Sequence, residues 1–440
     1  MNKSKFPLDE NILNNIIKDH EVDLNDIGIR ELKRLVDNLS DQYKVDFLHF
    51  EFGVPGIPAD RLGPEEEIRV LTENMKLPST YPPFDGIPRL KKATANFVKT
   101  FLNIYVEPEN CIPTVGAMHG GFIAQAIAGR RFKKANTILY LDPGFPVNKL
   151  QTKFLGLNYD SIDLYDYRSD KLAKILEKKL STKKIAAVLW SSPNNPTWLC
   201  LKNEELKMIG ELLTKYDVIG IEDSAYFGMD FRFDYGVPNK PPFQPTVANY
   251  TDNYIIIISS SKMFSYAGQR IAVSIVSPQL STKKYSNLKK YYDTKSFGKA
   301  YVHGGIYPTT AGVPQSPQHA LSALFEATCK GEYDYLSKVR TYGVRAKKAK
   351  QLFLSNGFEL LYDKDLGEPI ADGFYFTIKR PGMTGGELLR TMLLFGISGI
   401  PMRPTGTNLE GIRICVSLVP QEQYRELERR LSALDEYLTK

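Results

Sequence analysis

The sequence predicts an α/β protein, with a mostly parallel central sheet in a large domain and a smaller α+β domain built from both chain ends. Short β-branched runs alternate with helix-length amphipathic segments from about residue 90 to about residue 276. Strands separated by helical segments imply βαβ units and parallel pairing. After about residue 317 the texture changes to a long helical stretch followed by mixed strand and helix. The expected divisions are 1–75 for the N-terminal segment and part of the small domain, 76–316 for the large domain, and 317–440 for the C-terminal small domain. A chain of 440 residues has ample room for such a core.

Residues 1–45 read as helical, with apolar positions at Ile12, Leu13, Ile16 and Ile17 and again at Ile29, Leu32 and Leu35. The Gly- and Pro-rich stretch 47–58, containing Phe52-Gly53-Val54-Pro55-Gly56, reads as an irregular crossing segment. Helix follows at 90–102, and a loop entering a helix at 116–127. Strands are expected at 137–141, 185–190, 218–221, 254–258 and 271–276, with helices at 172–180 and 204–215 between them. A single long helix is expected over 319–350, then strands at 373–378 and 412–417.

The composition is that of an ordinary soluble protein. The net charge of +7 comes from 57 Lys+Arg against 50 Asp+Glu, and short clusters such as Lys283-Lys284 and Lys289-Lys290 read as solvated helix faces rather than a nucleic-acid site. Cys111, Cys200, Cys329 and Cys415 are far apart and form no metal-ligand spacing, which suits reduced thiols in the cytoplasm. The five histidines form no zinc motif, so no metal is expected. Residues 1–20 lack the apolar core of a signal peptide, and no apolar stretch approaches bilayer length.

Lys262 follows the run Ile255-Ile256-Ile257-Ile258 inside Ser259-Ser260-Ser261-Lys262-Met263-Phe264-Ser265-Tyr266-Ala267-Gly268-Gln269-Arg270. At the end of a buried strand, desolvation favours the neutral amine, which attacks aldehydes. The flanking serines and Arg270 suit a phosphate. Aldehyde and phosphate on one molecule point to pyridoxal 5'-phosphate (PLP); a solvated loop lysine is the bland alternative. Further clusters sit where strands end or helices begin. Gly116-Ala117-Met118 opens a predicted helix, as an anion site or simply a loop. Asn195, in Asn194-Asn195-Pro196-Thr197-Trp198, is either a turn residue or a hydrogen-bond donor to a phenolate oxygen. Asp223 ends a strand, where it is either an ion-paired or capping residue or the partner of a cationic pyridine nitrogen, and Tyr226 is three residues on. Arg413 interrupts an apolar strand and requires an anion, either a protein carboxylate or a substrate carboxylate.

Taken in order, Tyr81-Pro82-Pro83-Phe84-Asp85-Gly86, Asn195-Pro196-Thr197, Asp223-Ser224-Ala225-Tyr226 and the Ser259–Arg270 segment resemble the class I/II aminotransferases, PLP-dependent enzymes of fold type I and aspartate aminotransferase-like. The resemblance runs from about Gly53 to Ser417. It implies transfer of an amino group between an α-amino acid and a 2-oxo acid by a ping-pong mechanism, through a Schiff base on Lys262 that then moves the α-proton. Asp223 would pair with the pyridine nitrogen, and Asn195 and Tyr226 with the phenolate oxygen. Gly116, Ala117, Met118, Ser259, Ser261 and Arg270 would form the phosphate cup, and Phe145 would stack on the ring. Arg413 would clamp the substrate carboxylate, with Gly53 and Asn195 beside it. Tyr81 would reach the phosphate of the other subunit of a homodimer. The other readings on this scaffold are a PLP-dependent lyase or related α-carbanion enzyme, and a non-catalytic PLP-binding module. The sequence departs from the pattern at Trp198, where the family usually has glycine, and at Met118, where a polar residue often adds a phosphate bond.

Overall fold

A computed structural model describes residues 6–440, and the counts below are of these. Residues 1–5 of the predicted helical segment lie outside the described residues. The chain divides into two compact units, a larger one of Ile57–Asn194 and Cys200–Val339, and a smaller one of the described residues up to Gly56, Asn195–Leu199 and Arg340–Lys440. The boundaries fall near residues 56 and 339, against the 75 and 316 expected. The reason is helix Leu62–Glu73, which packs on helix Gln315–Lys330 and so joins the larger unit with it.

The larger unit is built on a seven-stranded sheet of β1 (Cys111–Thr114), β2 (Thr137–Asp142), β3 (Asn158–Asp163), β4 (Ile185–Ser191), β5 (Ile219–Ser224), β6 (Tyr254–Ser259) and β7 (Ala272–Val276), in the order β1-β7-β6-β5-β4-β2-β3. The pairs from β3 through β6 are parallel, and β7 runs antiparallel to β6 and β1. Interior strands of such a sheet are covered on both faces and read as continuous apolar runs, as Ile255 to Ile258 do. The two strands the sequence reading missed are the edges: β1 is four residues long and contains Pro113, and β3 is mostly polar. Both are ways of blunting a sheet edge, and both erase the strand signal.

Helix Gly116–Ala128 covers one face, where Ile123 and Ile127 join Ile219, Ile221, Ile255 and Ile257 in the core. On the other face Gly220 lies against Leu213 of helix Asn203–Tyr216, and an added Cβ would come within 2.8 Å of that leucine. The long helix expected over 319–350 is instead three, Gln315–Lys330, Tyr335–Val339 and Thr341–Leu354. Gly331, at φ +73°, ends the first by donating its N–H to the carbonyls of Ala327 and Thr328.

The smaller unit carries a four-stranded antiparallel sheet made from β8 (Glu359–Leu360), β11 (Tyr375–Lys379), β12 (Ile400–Pro401) and β13 (Ile412–Cys415), ordered β12-β13-β11-β8. A short hairpin of β9 (Lys364–Asp365) and β10 (Glu368–Pro369) precedes β11. Helices Glu10–Asp19, Ile29–Tyr43, Gly385–Leu394 and Tyr424–Thr439 belong to the same unit. The crossing segment joins it through a bridge between Leu48 and Ile397. Among the described residues no helix is long and apolar enough to cross a membrane.

Candidate active site

In the larger unit the polar residues gather at the carboxyl ends of β5 and β6. Asp223 is in register with Ile257, and Ser224 with Ile258. Because the pair is parallel, Asp223 and the segment after Ser259 leave the same edge of the sheet, where open α/β sheets bind ligands. Lys262 sits in a one-turn helix, Ser260–Met263, started by Ser259, whose Oγ accepts from the N–H of Ser261 at 3.2 Å. That bond turns the chain sharply and keeps Lys262 within one turn of the strand end.

Strand alternation puts Asp223 on the face of Ile219 and Ile221, the one covered by helix Gly116–Ala128. Asp223 keeps partial exposure, but its Oδ1 is sealed from solvent and has no hydrogen-bond partner. Burial raises its pKa to about 6, against one lowering contact from the backbone of Ala225. Neither a salt bridge nor a helix cap accounts for this carboxyl. Its neighbour Glu222 points to the other face, and burial raises its pKa to about 7. Glu222 is nonetheless satisfied by Thr246 Oγ1 at 3.1 Å and the N–H of Val247 at 2.9 Å.

The same face carries a group of opposite sign, the solvent-exposed Arg270. Gly116, at φ +72°, opens its helix so close to Arg270 that an added Cβ would lie 2.5 Å from Nη2. A guanidinium beside a helix N-terminus puts two positive fields together, an arrangement that an anion stabilises. Arg270 Nη1 also donates to the carbonyl of Ala267 at 2.9 Å. Ala117 and Met118 lie in the first turn, with Met118 exposed and its carbonyl accepting from Gln151 Nε2 at 2.8 Å. His119 went unnoticed in the sequence. Its Nδ1 accepts from the N–H of Val115 at 3.2 Å, its Nε2 meets Thr309 Oγ1 at 2.8 Å, and burial lowers its pKa to about 4. A neutral imidazole thus braces the turn into the helix. Phe145 is half-buried at the start of helix Pro146–Phe154, Tyr226 is buried, and Tyr81 is 85% exposed.

In the smaller unit Arg413 lies on β13 between β11 and β12, and is 2% exposed. Its Nη1 donates to Asn195 Oδ1 at 3.2 Å and its Nη2 to the backbone carbonyl of Glu51. Its Cζ lies 4.7 Å from the ring centroid of Tyr375, and its buried Nε has no hydrogen-bond partner. Register explains the ring: Thr377 is opposite Arg413, so Tyr375 is the diagonal neighbour on the same face. The groups that hydrogen-bond Arg413 are neutral, so its charge is positioned without being neutralised. Gly53 belongs to this cluster, and a Cβ there would meet Tyr375 Oη at 2.2 Å. Asn195, expected both at the cofactor and at the substrate, groups here with Arg413. Tyr375 was also missed, because the antiparallel register that sets it beside Arg413 is a tertiary fact.

A family model described as aminotransferase class I and II matches residues 65–306, more than half of the chain. The chain belongs to the class I and II aminotransferases. It is 27% identical over 236 residues to a probable aspartate aminotransferase of Methanocaldococcus jannaschii, covering 54% of this chain and 58% of that one. It is 25% identical over 258 residues to a glutamate-pyruvate aminotransferase of Escherichia coli, covering 57% of this chain and 59% of that one. The chain thus aligns with less than two thirds of these relatives' length. Its fold is that of the aspartate aminotransferase of Thermotoga maritima, with a TM-score of 0.73 at 18% identity, covering 97% of this chain and 99% of that one. Gly53 and Arg413 lie outside the family match.

The cofactor of this family is PLP, and the residues present fit it. Its ring nitrogen is a cation for the orphaned Asp223 Oδ1, and its phosphate is an anion for Arg270 and the Gly116 helix terminus. Both lie on one face of the sheet, and Lys262 lies at the edge that Asp223 shares.

Proposed function

We propose that this chain is a PLP-dependent aminotransferase that moves an amino group between an α-amino acid and a 2-oxo acid by a ping-pong mechanism. The observation that carries the reading is Asp223, a buried carboxyl without a counter-charge on the strand next to the one that delivers Lys262, in a chain of this family. When bound, the group supplies an aldehyde to take up the amino group and a protonated ring that withdraws electrons from the substrate α-carbon.

Asp223 would keep the proton on the ring nitrogen, and that cation would relieve its own desolvation. Arg270, Ser259, Ser261 and the first turn from Gly116 through Ala117 and Met118 hold the phosphate, with neutral His119 fixing the turn. Phe145 would lie against the ring, and Tyr226 and Asn195 would donate to its phenolate oxygen. Lys262 Nζ would hold the group through its aldehyde carbon, with loss of water, and once released its amine would take the proton from the substrate α-carbon and deliver it to that former aldehyde carbon. Arg413 binds the substrate carboxylate, its plane already set by Asn195, Glu51 and Tyr375. The 2-oxo acid binds the same arginine in the second half-reaction. The active form is a homodimer, and the exposed Tyr81 reaches the partner's phosphate.

Borohydride reduction of the loaded protein, followed by peptide mass mapping, tests the assignment. A cofactor adduct on Lys262 is expected, absent in Lys262→Ala. Comparable labelling of the variant, or of another lysine, overturns it.

A further inference from the structure

We infer that Trp198 is a positioning residue for Arg413 and thereby governs carboxylate affinity; this rests on the reading of Arg413 as the carboxylate clamp. Trp198 is wholly buried at φ +64°, in the left-handed region that bulky side chains avoid. Side-chain packing must hold it there. An added Cβ on Gly373 would lie 1.9 Å from the indole Cε2 and 2.2 Å from Cζ2 and Nε1, so glycine at 373 is what makes room for the ring.

The indole meets Tyr375 edge-on, with centroids 6.0 Å apart and planes at 64°. Tyr375 in turn carries Arg413 over its face. At its far end the phenol is confined by Gly53. Displacing Trp198 therefore frees the ring that the guanidinium rests on. A second route runs along the backbone, because Trp198 is three residues after Asn195, which accepts from Arg413. Its burial fixes the short segment 195–199 into the smaller unit. Bidentate recognition of a carboxylate depends on the plane of the fork, so a loosened guanidinium binds carboxylates more weakly. Trp198 thus acts on substrate through Tyr375 and Asn195.

The test uses the cofactor-loaded full chain, an amino acid that it turns over, and propionate as a competitive inhibitor. Trp198→Gly removes the ring and relieves the backbone; KM and the propionate inhibition constant should both rise roughly tenfold, with kcat changed less than about threefold. Trp198→Phe should recover most of that loss. Gly373→Ala, which pushes on the indole, should raise both constants, and the double variant Trp198→Gly/Gly373→Ala should be no worse than Trp198→Gly. Unchanged constants in Trp198→Gly, while Arg413→Lys raises both, overturn the inference and leave the clamp intact. Unchanged constants in Arg413→Lys overturn the clamp and the inference together. If Trp198→Gly loses its cofactor absorbance or melts early, Gly373→Ala decides: unchanged constants there overturn the proposal.

Discussion

Asp223 in the larger unit and Arg413 in the smaller are both charged side chains on interior strands, and the protein treats them differently. Arg413 is held by an amide, a backbone carbonyl and an aromatic face. Asp223 has a single backbone contact and one carboxyl oxygen with no partner. The first is aimed and left charged; the second has one oxygen sealed and left unpaired. On the proposed reading, Arg413 receives a substrate carboxylate that comes and goes, so it must keep its geometry when empty, whereas Asp223 partners a resident cofactor and can be left incomplete until that cofactor supplies the missing cation. Glu222 provides the internal control: it is one residue away and more deeply buried, yet its Oε2 accepts from Thr246 and Val247 and its Oε1 from Ser224 Oγ.

The difference can be broken first at Lys262. Lys262→Ala should lower turnover by about 10²–10⁴-fold, the usual worth of a positioned proton-transfer group, measured as oxo-acid formation.

Asp223→Asn should come next. The folded-state pKa of Asp223, about 6, is above the ordinary 3.8. The cofactor-free folded state therefore binds more protons than the unfolded state between those values. Stability falls as pH rises from about 4 to about 6, by at most about 3 kcal/mol. Denaturant titrations of the cofactor-free protein should show this slope, which Asp223→Asn removes while the slope from Glu222 remains. The same variant should bind cofactor more weakly and turn over roughly 100-fold more slowly, since about 3 kcal/mol of ion pairing is lost.

A smaller effect is expected at the other charge. Arg413→Lys cannot reproduce the planar fork and should cost about 2 kcal/mol of carboxylate binding, read as a KM increase of roughly 30-fold. It should leave the pH slope of the cofactor-free protein as it was. Gly116→Ala is the mildest. A Cβ at φ +72° should cost about 1–2 kcal/mol in stability and crowd Arg270, and phosphate-dependent cofactor retention, followed by dialysis, should fall with it.

What the sequence disclosed follows the same division. Interior strands such as β5 and β6 were legible because burial on both faces demands β-branched residues, and Asp223 and Lys262 stood out at their ends. The edge strands β1 and β3 were hidden by Pro113 and by the polar residues of Asn158–Asp163. The break at Gly331 was hidden because the apolar pattern continues past it, and only the left-handed cap ends the helix. Arg413 was visible as a charge within an apolar strand, but its supports were not. Tyr375 reaches it through antiparallel register, Glu51 through a backbone carbonyl and Asn195 from a distant part of the chain. Trp198 read only as a departure, since its fit over Gly373 is a tertiary contact.

The most direct test of the account is a single half-reaction. The loaded protein is mixed with a panel of amino acids in the absence of any 2-oxo acid, and absorbance, oxo acid and ammonia are followed together. The account predicts conversion to the pyridoxamine form with about one oxo acid per subunit, no ammonia, and further turnover only when a 2-oxo acid is added. Ammonia and oxo acid released together from one amino acid over many turnovers would contradict it, as would a spectrum that no amino acid changes.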